Sequence, residues 1–195
     1  MESYAKKVSQ IIIVLIGCAL FLTLLLLSLK SPIADIIPLP FSEPEEVRAE
    51  LPVRLTIPVI QIDAAIEYVG VMPDGSMGVP GGPDDVAWFQ FGPRPGEIGS
   101  AVIAGHFGWK NNIPAVFDEI DALKKGDKIY IADEKGILTT FIVRDTRLYD
   151  PQADAEGVFS SYDGKAHLNL VTCEGVWDAV SKSYSKRLVV FTDKE

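Results

Sequence analysis

Cysteine and histidine are scarce in this chain, with two of each among 195 residues. Cys18 lies in an apolar run near the N-terminus and Cys173 near the other end of the chain. With that run in a membrane the two thiols cannot meet within one molecule, which excludes a disulfide framework. No spacing of His, Cys, Asp and Glu marks a metal site, and no metal or other cofactor is expected. The acidic stretches "FDEID" and "PDD" read as solvated surface. Positive charge is also short: 18 Lys and Arg stand against 27 Asp and Glu. Three of those basic residues and one acidic residue fall in the first thirty positions, leaving 15 against 26, a formal net charge of −11, for the rest. A body of that sign is repelled by nucleic acid and by anionic membrane surfaces. The chain also lacks a sustained helical period after residue 52, an internal repeat and a low-complexity tract.

What is present begins with "IIIVLIGCALFLTLLLLSL", residues 11–29, which is uncharged and apolar apart from Thr23 and Ser28. At ~1.5 Å rise per residue it approaches the ~30 Å hydrocarbon core of a bilayer, and it reads as one transmembrane signal-anchor helix. A cleaved signal peptide has a shorter apolar region, of about 7 to 15 residues, followed by a small-residue cleavage site; here "KSPIADIIPLP" follows. Lys6 and Lys7 precede the span, so the positive-inside tendency puts residues 1–10 in the cytoplasm and the rest outside the cell. Residues 30–52, with five prolines and the cluster "EPEE", form an acidic, Pro-rich linker.

From residue 53 to 195 the texture is β-rich. "VRLTI", "AAIEYVGV", "SAVIAG", "KIYIA", "LTTFIVRDT", "HLNLVT" and "RLVVFT" alternate with clusters of Gly, Pro and Asp. Seven or eight strands in this length predict a compact antiparallel barrel or sandwich. "NNIPAVFDEIDALKKGD" has room for a short helix or two.

Cys173 closes the run "HLNLVTC", and the residues that could act with it are few. His167 lies six positions earlier on what reads as the same strand, which at ~3.3 Å per residue places it about 20 Å away and out of reach. His106 ends another strand, "SAVIAGH", at its exit into a loop, a suitable place for lining a cleft. Arg187 begins "RLVVFT". If that strand pairs antiparallel with the one ending at Cys173, the two residues share an end of the sheet. An arginine there stays charged and offers five donors to a developing oxyanion. On the residues alone, a second reading stands beside this one: Cys173 as a small packed hydrophobe and Arg187 as a solvated charge.

"LVTC", a loop and "RLVVF", with "SAVIAGH" upstream, resemble the sortases, membrane-anchored cysteine transpeptidases whose signature is a TLxTC strand with an earlier His and a later Arg. The matching residues are His106, Cys173 and Arg187. The likeness covers about residues 53–193, and "VPGGPDDVAWFQFGPRPGEIGSAVIAGH" is most similar to the class F and class E-like branches. Asn169 stands where the family has its first Thr.

The resemblance implies a mostly β fold, an eight-stranded antiparallel barrel with short helices behind one N-terminal transmembrane helix. It implies a groove for an LPxTG-type sorting peptide, attack by Cys173, acid and base work by His106, oxyanion support by Arg187, and Thr172 shaping the substrate pocket. The partners so implied are secreted proteins bearing that signal and an amine acceptor, either a lipid-linked cell-wall precursor or a pilin lysine. Two other readings are an L,D-transpeptidase-like cell-wall enzyme and a non-catalytic surface β-module. The first carries Ser-His-Gly before its cysteine, where this chain has "LVT".

Overall fold

The computed structural model describes residues 49–195. The apolar span at 11–29, the cytoplasmic segment and all but the end of the linker lie outside the described residues. The linker's last residues run along the barrel: the Ala49 carbonyl accepts from Arg94 Nη1 at 2.7 Å, and the Leu51 carbonyl from the Glu134 amide at 3.0 Å.

Eight strands close into a barrel: β1 (Pro52–Ile57), β2 (Ile62–Val69), β3 (Val86–Phe89), β4 (Gly99–Gly105), β5 (Lys128–Asp133), β6 (Leu138–Tyr149), β7 (Ala166–Asp178) and β8 (Ser183–Lys194). Around the barrel the order is β1-β2-β3-β4-β7-β8-β6-β5, with β5 returning to β1. The expected all-antiparallel arrangement needs correction, because β2–β3 and β4–β7 pair in parallel. Parallel neighbours need a crossover longer than a hairpin turn. Residues 70–85 supply the first, and residues 106–165, which include β5 and β6, supply the second. β3, "VAWF", is the strand that sequence patterning did not separate. It is four residues long and lies between Pro- and Gly-rich segments that hide its boundaries.

Period-two alternation sets what each strand shows to the core. In β7, Leu168 and Leu170 point into the barrel; in β8, Leu188 and Val190 do; in β4, Ala101 and Ile103 do. They meet Leu55, Ile57, Phe117, Ile129 and Phe141, all fully buried. The intervening residues Val102, Val189 and Phe191 form a second apolar cluster on the outside of the sheet, with Val158 lying over them. Val158 belongs to α1 (Glu156–Phe159), a single turn that also brings Phe159 to this face. β4, "GSAVIAG", is buried along its whole length because both its faces are covered. Over residues 111–127, where a short helix or two is expected, the helical pieces are two 3-10 turns, Lys110–Asn112 at its start and Ile120–Ala122.

Candidate active site

Alternation carries the candidate residues onto the same outer face. Cys173 continues the series Asn169 and Val171, and Arg187 the series Phe191 and Val189, so both leave the core and turn to the side lined by α1. Cys173 and Arg187 are partners across the β7–β8 ladder. Neither strand stops there, which corrects the expectation that β7 ends at the cysteine and β8 begins at the arginine. Both run on as a two-stranded arm to Asp178 and Ser183, with a bulge after Glu174 where Gly175 takes φ +88°. The barrel core ends at Thr172 and Leu188, and the arm is held by its own ladder and by Trp177 packed edge-on to Tyr184, centroids 5.1 Å apart.

His106 follows the last residue of β4. Gly105 is required there, since a Cβ on it would lie 2.4 Å from the Phe117 ring that packs beneath. The Phe117 amide donates to the His106 carbonyl at 3.0 Å, which holds the turn. Thr172 connects the two halves of the site. Its Oγ1 donates to the Gly105 carbonyl at 2.8 Å, one position beyond the last β4–β7 pair, Ala104 with Val171. The residue before the thiol is thereby bonded to the residue before the imidazole.

The imidazole packs against Trp109, with ring centroids 4.7 Å apart, and its Nε2 lies 2.9 Å from the Pro80 carbonyl. A carbonyl only accepts, so Nε2 carries the hydrogen, and in the neutral ring Nδ1 is left as the acceptor. Cys173 is a free, half-buried thiol. Burial pushes its pKa up, and the positive charge of Arg187 opposes that rise without outweighing it. Arg187 directs part of its fork along its own strand. Nη1 donates to the Tyr184 and Lys186 carbonyls at 3.1 and 2.9 Å, and Nη2 to Ser183 Oγ at 3.0 Å. Two of its five donors, Nε–H and one on Nη2, are left over.

His106, Cys173, Thr172 and Arg187 line one cleft of about 540 Å³, whose other walls are mostly apolar, among them Val71, Met77, Phe89, Phe159 and Val189, with Ser76 and Asp150 also lining it. Residues 55–195 match the family model for the sortase domain. The chain belongs to the sortase family.

Solved sortase structures share the fold. Sortase C-1 from Actinomyces oris is 22% identical over 73% of this chain and 73% of that one, with a TM-score of 0.57. Sortase A from Corynebacterium diphtheriae is 26% identical over 76% of this chain and 63% of that one, with a TM-score of 0.57. Sortase C1 from Streptococcus agalactiae is 20% identical over 73% and 66%, also at 0.57. Among curated proteins no relative matches this chain.

In this sortase the sequence-expected residues come together at one cleft, and His167 is elsewhere. It is buried near the start of β7, with Nδ1 2.8 Å from Asp193 and Nε2 3.0 Å from Asp163. Asn169, also buried, donates Nδ2 to the Val158 carbonyl at 2.6 Å and so pins α1 over the outer face. Its side-chain oxygen has no hydrogen-bond partner among the described residues. Sequence reasoning missed the arm and the crossover at residues 70–85, which walls the cleft with Val71, Met77 and Val79. Aromatic residues flanking the histidine and in the arm were a usable signal: Phe107 packs edge-on to Tyr184, centroids 5.4 Å apart.

Proposed function

We propose that this sortase is a cysteine transpeptidase that cleaves an LPxTG-type sorting signal through a thioacyl-enzyme on Cys173. The acyl group then passes to an amine, either of a lipid-linked cell-wall precursor or of a pilin lysine. The observation that carries this is the placement of a free thiol opposite an arginine, with the histidine tied to the same strand end by Thr172.

As Sγ attacks the threonine carbonyl, the thiol proton passes to His106 Nδ1, the nitrogen with an open lone pair. A thiol whose pKa is raised by burial needs that base, because little thiolate exists at neutral pH. Arg187 supports the carbonyl oxygen as it becomes an oxyanion, using the donors not held by Ser183 and the arm carbonyls. Collapse of the tetrahedral intermediate breaks the Thr–Gly bond, and His106 returns the proton to the departing glycine amine. The incoming amine attacks the thioester and loses a proton to His106, and the sulfur leaves to regenerate the thiol. Thr172 acts as a positioning residue in this scheme. The apolar walls take the substrate's apolar side chains.

On this reading the chain is a single-pass protein of the cell membrane. The N-terminus is cytoplasmic, residues 11–29 span the bilayer and the barrel is outside, where tethering raises the enzyme's concentration near membrane-held substrates. The class F and class E-like likeness rests on the sequence of residues 79–106. The test is intact-mass measurement of the full chain in detergent after incubation with an LPxTG peptide. A thioacyl adduct should form in wild type and be absent in Cys173→Ala. No adduct and no cleavage across a library of sorting-type peptides would overturn the proposal.

A further inference from the structure

The motif "VPGGPDD" has no role in the chemistry above, yet it forms the end of the crossover that reaches the site. The Pro80–Gly81 peptide group is bonded at both ends. Its C=O accepts from His106 Nε2 at 2.9 Å, and its N–H donates to both carboxylate oxygens of Glu67, each at 3.1 Å. Glu67 is on β2 and half-buried. The crossover is fastened on either side of this peptide as well, by the Gly78 amide to the Gly70 carbonyl at 2.9 Å and by the Val116 amide to the Pro83 carbonyl at 2.8 Å.

We infer that Glu67 is a positioning residue for His106, acting through the intervening peptide group. A peptide's N–H and C=O are joined by resonance, so a carboxylate accepting at the N–H end increases the negative charge on the oxygen at the other end. Hydrogen bonds linked in this way strengthen one another. The result is a stronger acceptor for Nε2–H, which fixes the imidazole in the tautomer that leaves Nδ1 free and steadies the imidazolium formed when Nδ1 takes the thiol proton. Its logic is that of a catalytic histidine oriented by a carboxylate, with one peptide plane between the two groups. No charged side chain needs to enter the apolar cleft for the imidazole to be held.

The catalytic consequence rests on the transpeptidase reading, whereas the tautomer does not, and the test separates the two. The chain has only two histidines, so full-length protein in detergent micelles, labelled with 15N-histidine, shows two imidazoles by NMR. His167, held between two carboxylates, serves as the internal control. Wild type should show His106 protonated at Nε2. Glu67→Ala should give a mixture of tautomers and lower kcat for peptide cleavage about tenfold with KM little changed. Glu67→Gln, which still accepts from Gly81 N–H, should keep the tautomer and stay within about threefold of wild type in kcat. Glu67→Met replaces the alanine variant should that fail to fold. A wild-type His106 protonated at Nδ1, or an unaltered His106 spectrum in both the alanine and methionine variants, overturns the inference. A shifted spectrum in a protein without peptide cleavage would support the tautomer role while removing the transpeptidase reading.

Discussion

The two ends of β7 hold the same kinds of side chain in opposite states. Near its start, His167 is buried and both ring nitrogens face carboxylates, while Asp193 also meets Arg144 at 3.2 Å. Every polar capacity of the imidazole is used, and Asp163 is held well below the usual carboxylate range by its hydrogen bond to His167. At the cleft end Cys173 is free, His106 keeps one nitrogen open, and Arg187 retains donors beyond those its own arm takes. A histidine with both nitrogens satisfied is a structural bolt; one fixed by a single nitrogen can move a proton. The difference comes from how many partners surround each group rather than from residue type.

The largest effect expected is at the open end. Cys173→Ala removes the proposed nucleophile and should abolish adduct formation and cleavage with a thermal melt near wild type, since the thiol is only half-buried. His106→Ala should nearly match it. Comparable loss of turnover in a folded His167→Ala protein would break the comparison.

Next comes Arg187→Lys, which keeps the charge and loses the fork of donors. Losing one oxyanion donor typically costs about 2.7 to 4 kcal/mol, or about a hundred- to a thousandfold in kcat. A mutant within about threefold of wild type in transpeptidation rate would remove Arg187 from the chemistry. Arg187→Met sharpens the same point without substrate. Because the arginine's charge pulls the Cys173 pKa down against burial, its removal should shift the pH profile of iodoacetamide alkylation to higher pH, where thiolate forms.

Thr172→Val keeps the shape and removes the bond that joins the two strand ends. The Gly105 carbonyl is then left without that donor, at a cost of about 1 to 3 kcal/mol. The imidazole's anchoring loosens with it, and kcat should fall about tenfold with KM little changed. A drop in melting temperature with turnover intact would show that the Thr172 bond stabilises the barrel without placing His106.

The strands that carry this site were legible as short β-rich runs set off by polar and turn-forming segments. Pairing "HLNLVT" antiparallel with "RLVVFT" brings Cys173 and Arg187 together, as the ladder has them, but the face they leave by was not legible, because Leu188, Val189, Val190 and Phe191 are all apolar and all buried. Strand order was not legible. The parallel neighbours β4 and β7 are separated by residues 106–165, and nothing local in "SAVIAG" names "HLNLVT" as its partner. Nor was the arm beyond Cys173, whose residues are exposed and held by ladder bonds and aromatic edges rather than by a buried face. The Pro80 carbonyl leaves no trace in a sequence at all, because every residue has one.

The smallest effect on activity, and the one that isolates the closed end, is His167→Ala. The side chain is buried and bonded to two carboxylates, so its loss removes two charge-assisted hydrogen bonds and leaves a cavity. About 2 kcal/mol or more of stability should go, read as a melting temperature lower by several degrees. Turnover at a temperature where the mutant is folded should stay within about twofold, since β7 separates the two sites by about 20 Å. Acid titration gives a second readout. Asp163's carboxyl is depressed in the folded state, so the stability it supplies is fully present above the ordinary Asp range, near pH 4, and is lost as pH falls through its lower folded value. Without His167 that carboxyl loses the largest of the bonds that depress it and moves toward its ordinary value, while the Lys165 amide and the Ser161 hydroxyl still hold it down, so the part of this contribution that His167 supplies disappears. The gap between wild type and mutant that Asp163 supplies should therefore be widest above about pH 4 and close as the solution becomes more acidic. A gap that stayed constant through that range would mean that packing, and not the carboxylates, makes His167 the bolt at this end of β7.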